Sequence, residues 1–441
     1  MWKEIHKQDK TFSSSIGDQR IKTSFDYRWS IYAIQEEREG RTILFHTMTT
    51  QCILLEDEQL PKGILSAKTV ENHTLLFWLM QQYFLVPVDF SEEEFYRKTI
   101  YLLRKLTERK GYVRYTILPT TGCNARCVYC FEKEYPIQTM SEETAEQVVR
   151  FISETKREHQ PIQLGWFGGE PLLGQKIIDW ISDRLREKEI LFTSSMVTNG
   201  SLFTDDVIEK ARTRWNLNHV QISMDCAETV YRQRKQFLIY DHQYETVLRQ
   251  AAKAAKAGIS VTIGCNVDGE NVDEIPEFIR DAANRISEKG KVTILFPQLF
   301  QSRSSKENCL VLKKIMQYDD VLEQYGFPGI YQGLPDHLKL FSCMADGKNR
   351  EVVIAPDGKL YACEHCEEGT SFGTIWDGIT DPLLLNSYEE WDETKDNCRE
   401  CPYLPLCTPF SKCSVVDFDC QAIRTMVLHS AMQSMMLREL F

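Results

Sequence analysis

The chain has no run of about 18 apolar residues, the length needed to cross a bilayer. It also has no block of Lys and Arg dense enough to follow a phosphate backbone. Its first residues, MWKEIHKQDKTF, lack the apolar core of an export signal. These absences argue against a membrane-spanning protein, an exported one and a nucleic-acid binder, and they lead us to expect a cytoplasmic location. The charge balance agrees, with 52 Lys plus Arg against 64 Asp plus Glu and a formal net charge of -12. What the chain has in quantity is cysteine, 15 residues in 441. In a reducing compartment so many thiols point to metal rather than to disulfides. Three fall between residues 123 and 130 and eight between 343 and 420. The other four, Cys52, Cys226, Cys265 and Cys309, are scattered and read as small buried hydrophobes.

At about 150 residues per domain the length implies two to four domains. Residues 1–110 read as an α+β unit. SFDYRWSIYAIQ and TILFHTMTTQCILL form a hairpin about EEREGR, and the amphipathic helix SEEEFYRKTIYLLRKLTER opens with Ser91 and Glu94 in capping-box register. From 111 to 300 strands alternate with helices, the pattern of parallel βα units. Six strands (VRYTILPT, IQLGWFG, LFTSSMVTN, HVQISMD, SVTIGCN, KVTILFP) and helical patterns from Ser141, Gln175, Thr204, Tyr244 and Asn271 predict an open, partial (β/α)6 TIM-like barrel, with function at the C-terminal strand ends. Residues 301–342 bridge to a cysteine-rich segment, 343–441, in which VVIAPDGKLYAC reads as a hairpin and metal must supply much of the order.

The stretch TTGCNARCVYCFEKE places Cys123, Cys127 and Cys130 at i, i+4 and i+7. That spacing suits one face of a buried helix. It equally suits a loop, and the position directly after the first barrel strand favours the loop. Thiolates select soft metals, and three of them leave one coordination position open, as in an iron-sulfur or a catalytic zinc site.

CNARCVYCF resembles the CxxxCxxC signature of the radical S-adenosylmethionine (SAM) enzymes, including the aromatic Tyr129 before the third cysteine. The resemblance implies a 4Fe-4S cluster on Cys123, Cys127 and Cys130, its fourth iron chelated by SAM, and a 5'-deoxyadenosyl radical that removes a substrate hydrogen. WFGGEP then matches the family's GGE motif, which implies that Gly168, Gly169 and Glu170 meet the SAM ammonium. Thr198, Asn199 and Gly200 after the third strand, and Ser223 and Asp225 at the fourth, would line the SAM carboxylate and ribose, with Tyr129 also on the cofactor side. The fifth strand departs from the family: Gly264 and Cys265 precede Asn266 where an arginine is usual.

The C-terminal cysteines resemble a SPASM domain, the auxiliary-cluster module of peptide-modifying radical SAM enzymes, with Gly358 and Cys363 in a Gx4C arrangement and CRECPYLPLC as Cx2Cx5C. The resemblance implies two further 4Fe-4S clusters, one on Cys398, Cys401, Cys407 and Cys420, the other on Cys343, Cys363 and Cys413. Cys366, Cys309 or a substrate thiolate would complete the second. Five residues between Cys407 and Cys413, where the family has three, depart from the pattern, and a two-zinc module fits the same spacing.

By this resemblance the chain is a maturase that cross-links a ribosomally made precursor peptide, with a thioether favoured, or a sulfatase-maturing enzyme that makes formylglycine. The implied partners are a precursor peptide with a leader and an electron donor such as flavodoxin or ferredoxin. The first 110 residues resemble a leader-recognition module, which would take a peptide as an added strand; as a bland alternative they are scaffold. A non-catalytic iron-sulfur carrier or zinc-stabilised interaction protein is the reading from another class, and it has no use for the motifs at successive strand ends.

Overall fold

From residue 114 onward, strand and helix alternate because a helix laid across parallel strands returns the chain to the same end of the sheet. In the computed structural model these strands are β7 to β12, numbered after six earlier ones. The structure describes residues 2–6, 26–38, 40–56, 60–107, 110–239, 243–299, 305–329, 334, 337–338, 340, 344–346, 351–388, 398–407, 428 and 432. The N-terminal elements are β1 (Trp2–His6), β2 (Tyr27–Trp29), β3 (Ala33–Arg38), β4 (Arg41–His46), β5 (Cys52–Glu56), α1 (Ala67–Glu71), α2 (Thr74–Gln81), β6 (Leu85–Pro87) and α3 (Glu92–Thr107). The middle of the chain runs β7 (Arg114–Thr120), α4 (Glu142–Thr155), β8 (Ile162–Gly168), α5 (Gln175–Glu187), β9 (Phe192–Thr198) and α6 (Asp205–Thr213). It continues through β10 (Leu217–Asp225), α7 (Glu228–Lys235), α8 (Tyr244–Lys256), β11 (Ser260–Asn266), α9 (Ile275–Arg285) and β12 (Val292–Leu295). After it come α10 (Ser305–Gln317), α11 (Asp319–Gln324), β13 (Glu351–Ile354), β14 (Lys359–Tyr361), β15 (Gly373–Thr374), β16 (Gly378–Ile379) and α12 (Pro382–Ser387).

Strands β12-β11-β10-β9-β8-β7 lie side by side in sequential order, every neighbouring pair parallel. The helices follow from their apolar spacing. In α4, capped by Ser141 Oγ accepting from Thr144 N, the buried residues Ala145, Val148, Val149 and Ile152 recur at i, i+3, i+4 and i+7. In α5, Ile178, Ile181, Ser182 and Leu185 do the same. These faces and the strands' own apolar residues form the main core, in which each fully buried aliphatic side chain contributes roughly 1.5–3 kcal/mol over exposure.

Two features escape the sequence pattern. The hairpin expected at VVIAPDGKLYAC forms, but β13 also pairs in parallel with β7, and β14, β15 and β16 extend that edge antiparallel, so the barrel sheet has ten strands. Val352, Val353 and Ile354 are buried in succession, as in a strand covered on both faces. The second is α7, a short helix of mostly polar residues that carries no apolar periodicity and buries Tyr231, Arg234 and Lys235.

The N-terminal sheet has the order β1-β5-β4-β3. Its side chains alternate between two cores, as strand geometry requires. Leu44, Ile53 and Leu55 pack on Leu75, Leu76 and Leu79 of α2. Ile43, Phe45, Cys52 and Leu54 pack on Leu334, Tyr403, Leu428 and Met432. The sheet is therefore clasped between its own helices and the C-terminal cysteine-rich segment.

Candidate active site

The loop after β7 is closed at its base before it carries any chemistry. Thr120 Oγ1 accepts from Gly122 N (3.0 Å) and donates to Gln138 O (2.8 Å), Thr121 N donates to Gln138 O (2.9 Å), and Met140 N to Pro119 O (2.9 Å). Within the excursion Cys123, Cys127 and Cys130 lie on irregular backbone, so the buried-helix alternative does not hold. The loop leans on the end of α7: Val128 N donates to Arg234 O (3.0 Å), Arg126 N to Gln236 O (3.0 Å), and Leu238 N to Asn124 O (2.9 Å).

A cavity of about 540 Å³ opens where these segments meet the strand ends. All three cysteines line it, together with Gly168 and Gly169 at the end of β8, Thr198 and Asn199 at the end of β9, Ser223 from β10, and Lys235. Burial raises each of the three thiols above its ordinary pKa, while the Lys235 ammonium pulls each back. A soft metal would displace those protons. Asn199 ties the β9 end to the loop, donating from Nδ2 to Asn124 Oδ1 (2.8 Å) and accepting at Oδ1 from Ser201 Oγ (2.6 Å).

Gly168 and Gly169 shape the cavity wall, and Glu170, Tyr129 and Asp225 stand behind it. A Cβ at Gly168, where φ is +113°, would sit 2.3 Å from Thr120 O; one at Gly169 would sit 2.4 Å from Gly122 O. The glycines thus admit the base of the cysteine loop. Glu170 is fully buried: Oε1 accepts from Thr198 Oγ1 (2.8 Å) and Leu172 N (3.2 Å), and Oε2 from Asn199 N (2.8 Å). Burial raises its carboxyl against the pull of these bonds. Tyr129 donates to Asp225 Oδ2 (2.9 Å) and accepts from Asn266 Nδ2 (3.1 Å). Neither Tyr129 nor Asp225 lines the cavity.

Arg126, Glu132, Lys133 and Lys235 also line the cavity and carry charge that sequence reasoning missed. Lys235 is 3% exposed and, among the described residues, has no carboxylate within ion-pair distance. No local pattern marked it, since it ends a short helix of mostly polar residues. Glu132 has a buried Oε1 with no hydrogen-bond partner, and burial, with Glu364 nearby, pushes its carboxyl up to about 7.

The C-terminal cysteines divide by place. Cys363 and Cys366 sit beside the barrel on a loop whose His365 ring lies 4.1 Å from that of Phe131 and whose His365 carbonyl accepts from the Tyr135 hydroxyl. Cys366 holds a left-handed backbone, φ +43°. Cys398 and Cys401 lie beneath the N-terminal unit with Tyr32, Tyr96 and Leu404, and Cys407 is buried nearby in the same segment. Cys343, Cys413 and Cys420 lie outside the described residues; Cys309 is on α10 with its side chain outside them. Cys226 and Cys265 are core residues as expected, their sulfurs 3.2 Å apart. Among the described residues no three His, Cys, Asp or Glu side chains are grouped closely enough to hold a metal ion, so the fit of a cluster rests on the donor set. Three soft thiols on one cavity wall, with an open side and a cation beside them, form such a set.

Residues 117–282 match the family model of the Radical SAM superfamily. The GTP 3',8-cyclase of Clostridium perfringens (strain SM101 / Type A) is 26% identical over 296 residues, which are 62% of this chain and 86% of that protein. The solved structure of anSMEcpe with bound AdoMet superposes with a TM-score of 0.56 at 17% identity, covering 74% of this chain and 98% of that one. Streptococcus suis SuiB bound to S-adenosylmethionine superposes with a TM-score of 0.52 at 14% identity, covering 88% and 96%; SuiB has also been solved bound to precursor peptide SuiA. At these identities the solved structures show a shared fold. No helix among the described residues is long and apolar enough to cross a membrane.

Proposed function

This chain carries a radical SAM domain and is a radical SAM enzyme, and from that premise we propose that it modifies a ribosomally made precursor peptide. The observation that carries the proposal is the single cavity in which Cys123, Cys127, Cys130, Asn199, Ser223 and Lys235 meet at the ends of successive parallel strands. Cys123, Cys127 and Cys130 would hold a 4Fe-4S cluster, which with SAM bound supplies a 5'-deoxyadenosyl radical for hydrogen abstraction. Around it the protein's own groups have separable tasks. Lys235 offsets the charge of the thiolates and of a cofactor carboxylate. Asn199 and Ser223 offer hydrogen bonds, and Glu170 orients the Thr198–Asn199 turn from behind. Glu132 presents a carboxyl to the cavity.

Cys343, Cys363, Cys366, Cys413 and the set Cys398, Cys401, Cys407 and Cys420 are proposed to carry two auxiliary clusters of SPASM type. The placement of Cys363 and Cys366 beside the cavity supports a cluster within reach of the substrate. Cross-linking of a precursor peptide is the preferred reading because the likeness to SuiB, also solved bound to a precursor peptide, extends over 88% of the chain, and thioether formation comes first because an auxiliary cluster short of one protein ligand would leave a position for a peptide thiolate. A leader would add to the exposed edge β3 of the N-terminal sheet, whose two faces are already covered.

The test is anaerobic incubation of the iron-loaded protein with SAM and dithionite. 5'-Deoxyadenosine is expected, and its absence would sink the proposal at its root. Changing Cys123, Cys127 and Cys130 to Ala should abolish it while about eight irons remain, at four per auxiliary cluster. If a short peptide is encoded beside this gene, its co-expression with this protein should remove two hydrogens per cross-link by mass spectrometry. An aldehyde-bearing product would transfer the assignment to formylglycine formation.

A further inference from the structure

Tyr129 stands between two of the cluster cysteines yet does not line the cavity, and its hydroxyl bonds to the ends of β10 and β11 behind it. We propose that Asp225 and Asn266 are positioning residues that set the seat of the cysteine loop through the Tyr129 phenol, without touching the cofactor themselves. The inference rests on the radical SAM reading above and deepens it.

The hydrogen bonds form a closed circuit. Tyr129 donates to Asp225 Oδ2 (2.9 Å) on β10 and accepts from Asn266 Nδ2 (3.1 Å) on β11. The Asn266 carbonyl accepts from Asn271 Nδ2 (3.0 Å), and Asn271 Oδ1 accepts from Asp268 N (2.8 Å). Asp268 Oδ1 takes the Arg234 guanidinium (3.0 Å) in a buried ion pair, both side chains under 10% exposed. The Arg234 carbonyl then accepts from Val128 N (3.0 Å), one residue before Tyr129. Residues 128 and 129 are thus held from two sides, by backbone from α7 and by side chain from β10 and β11, and they lie between Cys127 and Cys130. A shift of this dipeptide moves both sulfurs.

The circuit also accounts for the departure at the fifth strand, since Asn266 is occupied by the loop rather than offering a cation to a ligand. Asp225 is fully buried and its Oδ1 has no partner, so Tyr129 is the one side-chain donor to its carboxylate among the described residues. Removing the phenol leaves a buried carboxylate without a bond, which makes the Tyr129–Asp225 contact costly to break.

The test is a double-mutant cycle of Tyr129→Phe and Asp225→Asn in the full chain, with iron loaded anaerobically. Two readouts are taken: the electron paramagnetic resonance spectrum of the reduced SAM-site cluster before and after SAM, and the KM for SAM in 5'-deoxyadenosine formation. All cysteines are kept, and the SAM-site signal is identified as the component that changes on adding SAM and is absent from Cys127→Ala. Each single change should alter the spectrum already before SAM is added and raise KM about tenfold, the size of one lost bond to a charged group. The Asp225→Asn effect should vanish in the Tyr129→Phe background. If Asp225 touches SAM directly, its change leaves the SAM-free spectrum as it was and the two effects multiply, which overturns the proposal. Should Asp225→Asn fail to load iron, Asn266→Ala with Tyr129→Phe runs the same cycle, because Asn266 reaches the loop through the same oxygen. A parent that loads iron but makes no 5'-deoxyadenosine defeats the functional reading instead, while the SAM-free spectra still decide the positioning role.

Discussion

His46 shows what burial does to a single side chain here. Its Nδ1 accepts from Thr49 N (3.1 Å), so the proton resides on Nε2, which meets Ser30 Oγ (3.0 Å). Ser30 in turn donates to Glu92, whose other oxygen takes Arg28. Burial depresses the imidazole from 6.5 to about 3. As pH falls below 6.5 the unfolded chain takes up a proton that the folded chain refuses, so stability is lost on the acid side. Between pH 6.5 and 5 the loss should be about 2 kcal/mol, at about 1.4 kcal/mol per unit. Urea midpoints across that range should show a steeper acid decline than in His46→Gln, and parallel declines would refute the assignment. Lys235 makes the corresponding case in the cavity. Lys235→Gln should weaken SAM binding about tenfold or more, measured by equilibrium dialysis on iron-loaded protein, because a charge-assisted contact is exchanged for a neutral one; unchanged affinity would remove Lys235 from the site.

At the scale of elements, the junction of β7 and β8 carries the tightest constraint. Gly168 combines a left-handed φ with a carbonyl 2.3 Å from where a Cβ would stand, whereas Gly258, at φ +92°, has nothing within 4 Å of its added Cβ. Gly258→Ala should therefore cost about 1 kcal/mol of backbone strain. Gly168→Ala should cost several times more and dislodge the base of the cysteine loop. Thermal denaturation with iron analysis separates the two, and equal losses would contradict the packing described. The GGE motif was visible in the sequence, but its packing role was not. The resemblance assigned Gly168 and Gly169 to the SAM ammonium, and the folded strand ends add that the Thr120–Gly122 backbone occupies the space a Cβ there would need.

In the whole molecule the N-terminal sheet is bound to the far end of the chain. Phe45, Cys52 and Leu54 cover Tyr403, and Tyr32 and Tyr96 cover Leu404, Cys398 and Cys401. The Tyr96 hydroxyl donates to Leu404 O (3.3 Å) and Thr47 Oγ1 to Pro402 O (2.6 Å). With the C-terminal clusters proposed above, deleting residues 1–110 should therefore lower the iron they hold while sparing the loop of Cys123, Cys127 and Cys130. Iron and sulfide analysis of the truncated chain, with and without those three cysteines, tests this; full retention at the C-terminal sites would show the sheet to be dispensable there.

The sequence alone determined the order of strands and helices, the six parallel strands, the loop position of the three cysteines and the strand ends that carry their neighbours. All of these depend on local periodicity and on residues close together in the chain. The tertiary structure decided which of those residues face the cavity. It turned Glu170, Tyr129 and Asp225 inward to support the walls, and brought Lys235 to the thiols from a helix without apolar pattern. It also added β13 to the barrel edge and set the N-terminal sheet against Tyr403. Each of these pairs residues far apart in sequence, where burial and hydrogen-bond satisfaction, rather than spacing, select the partner.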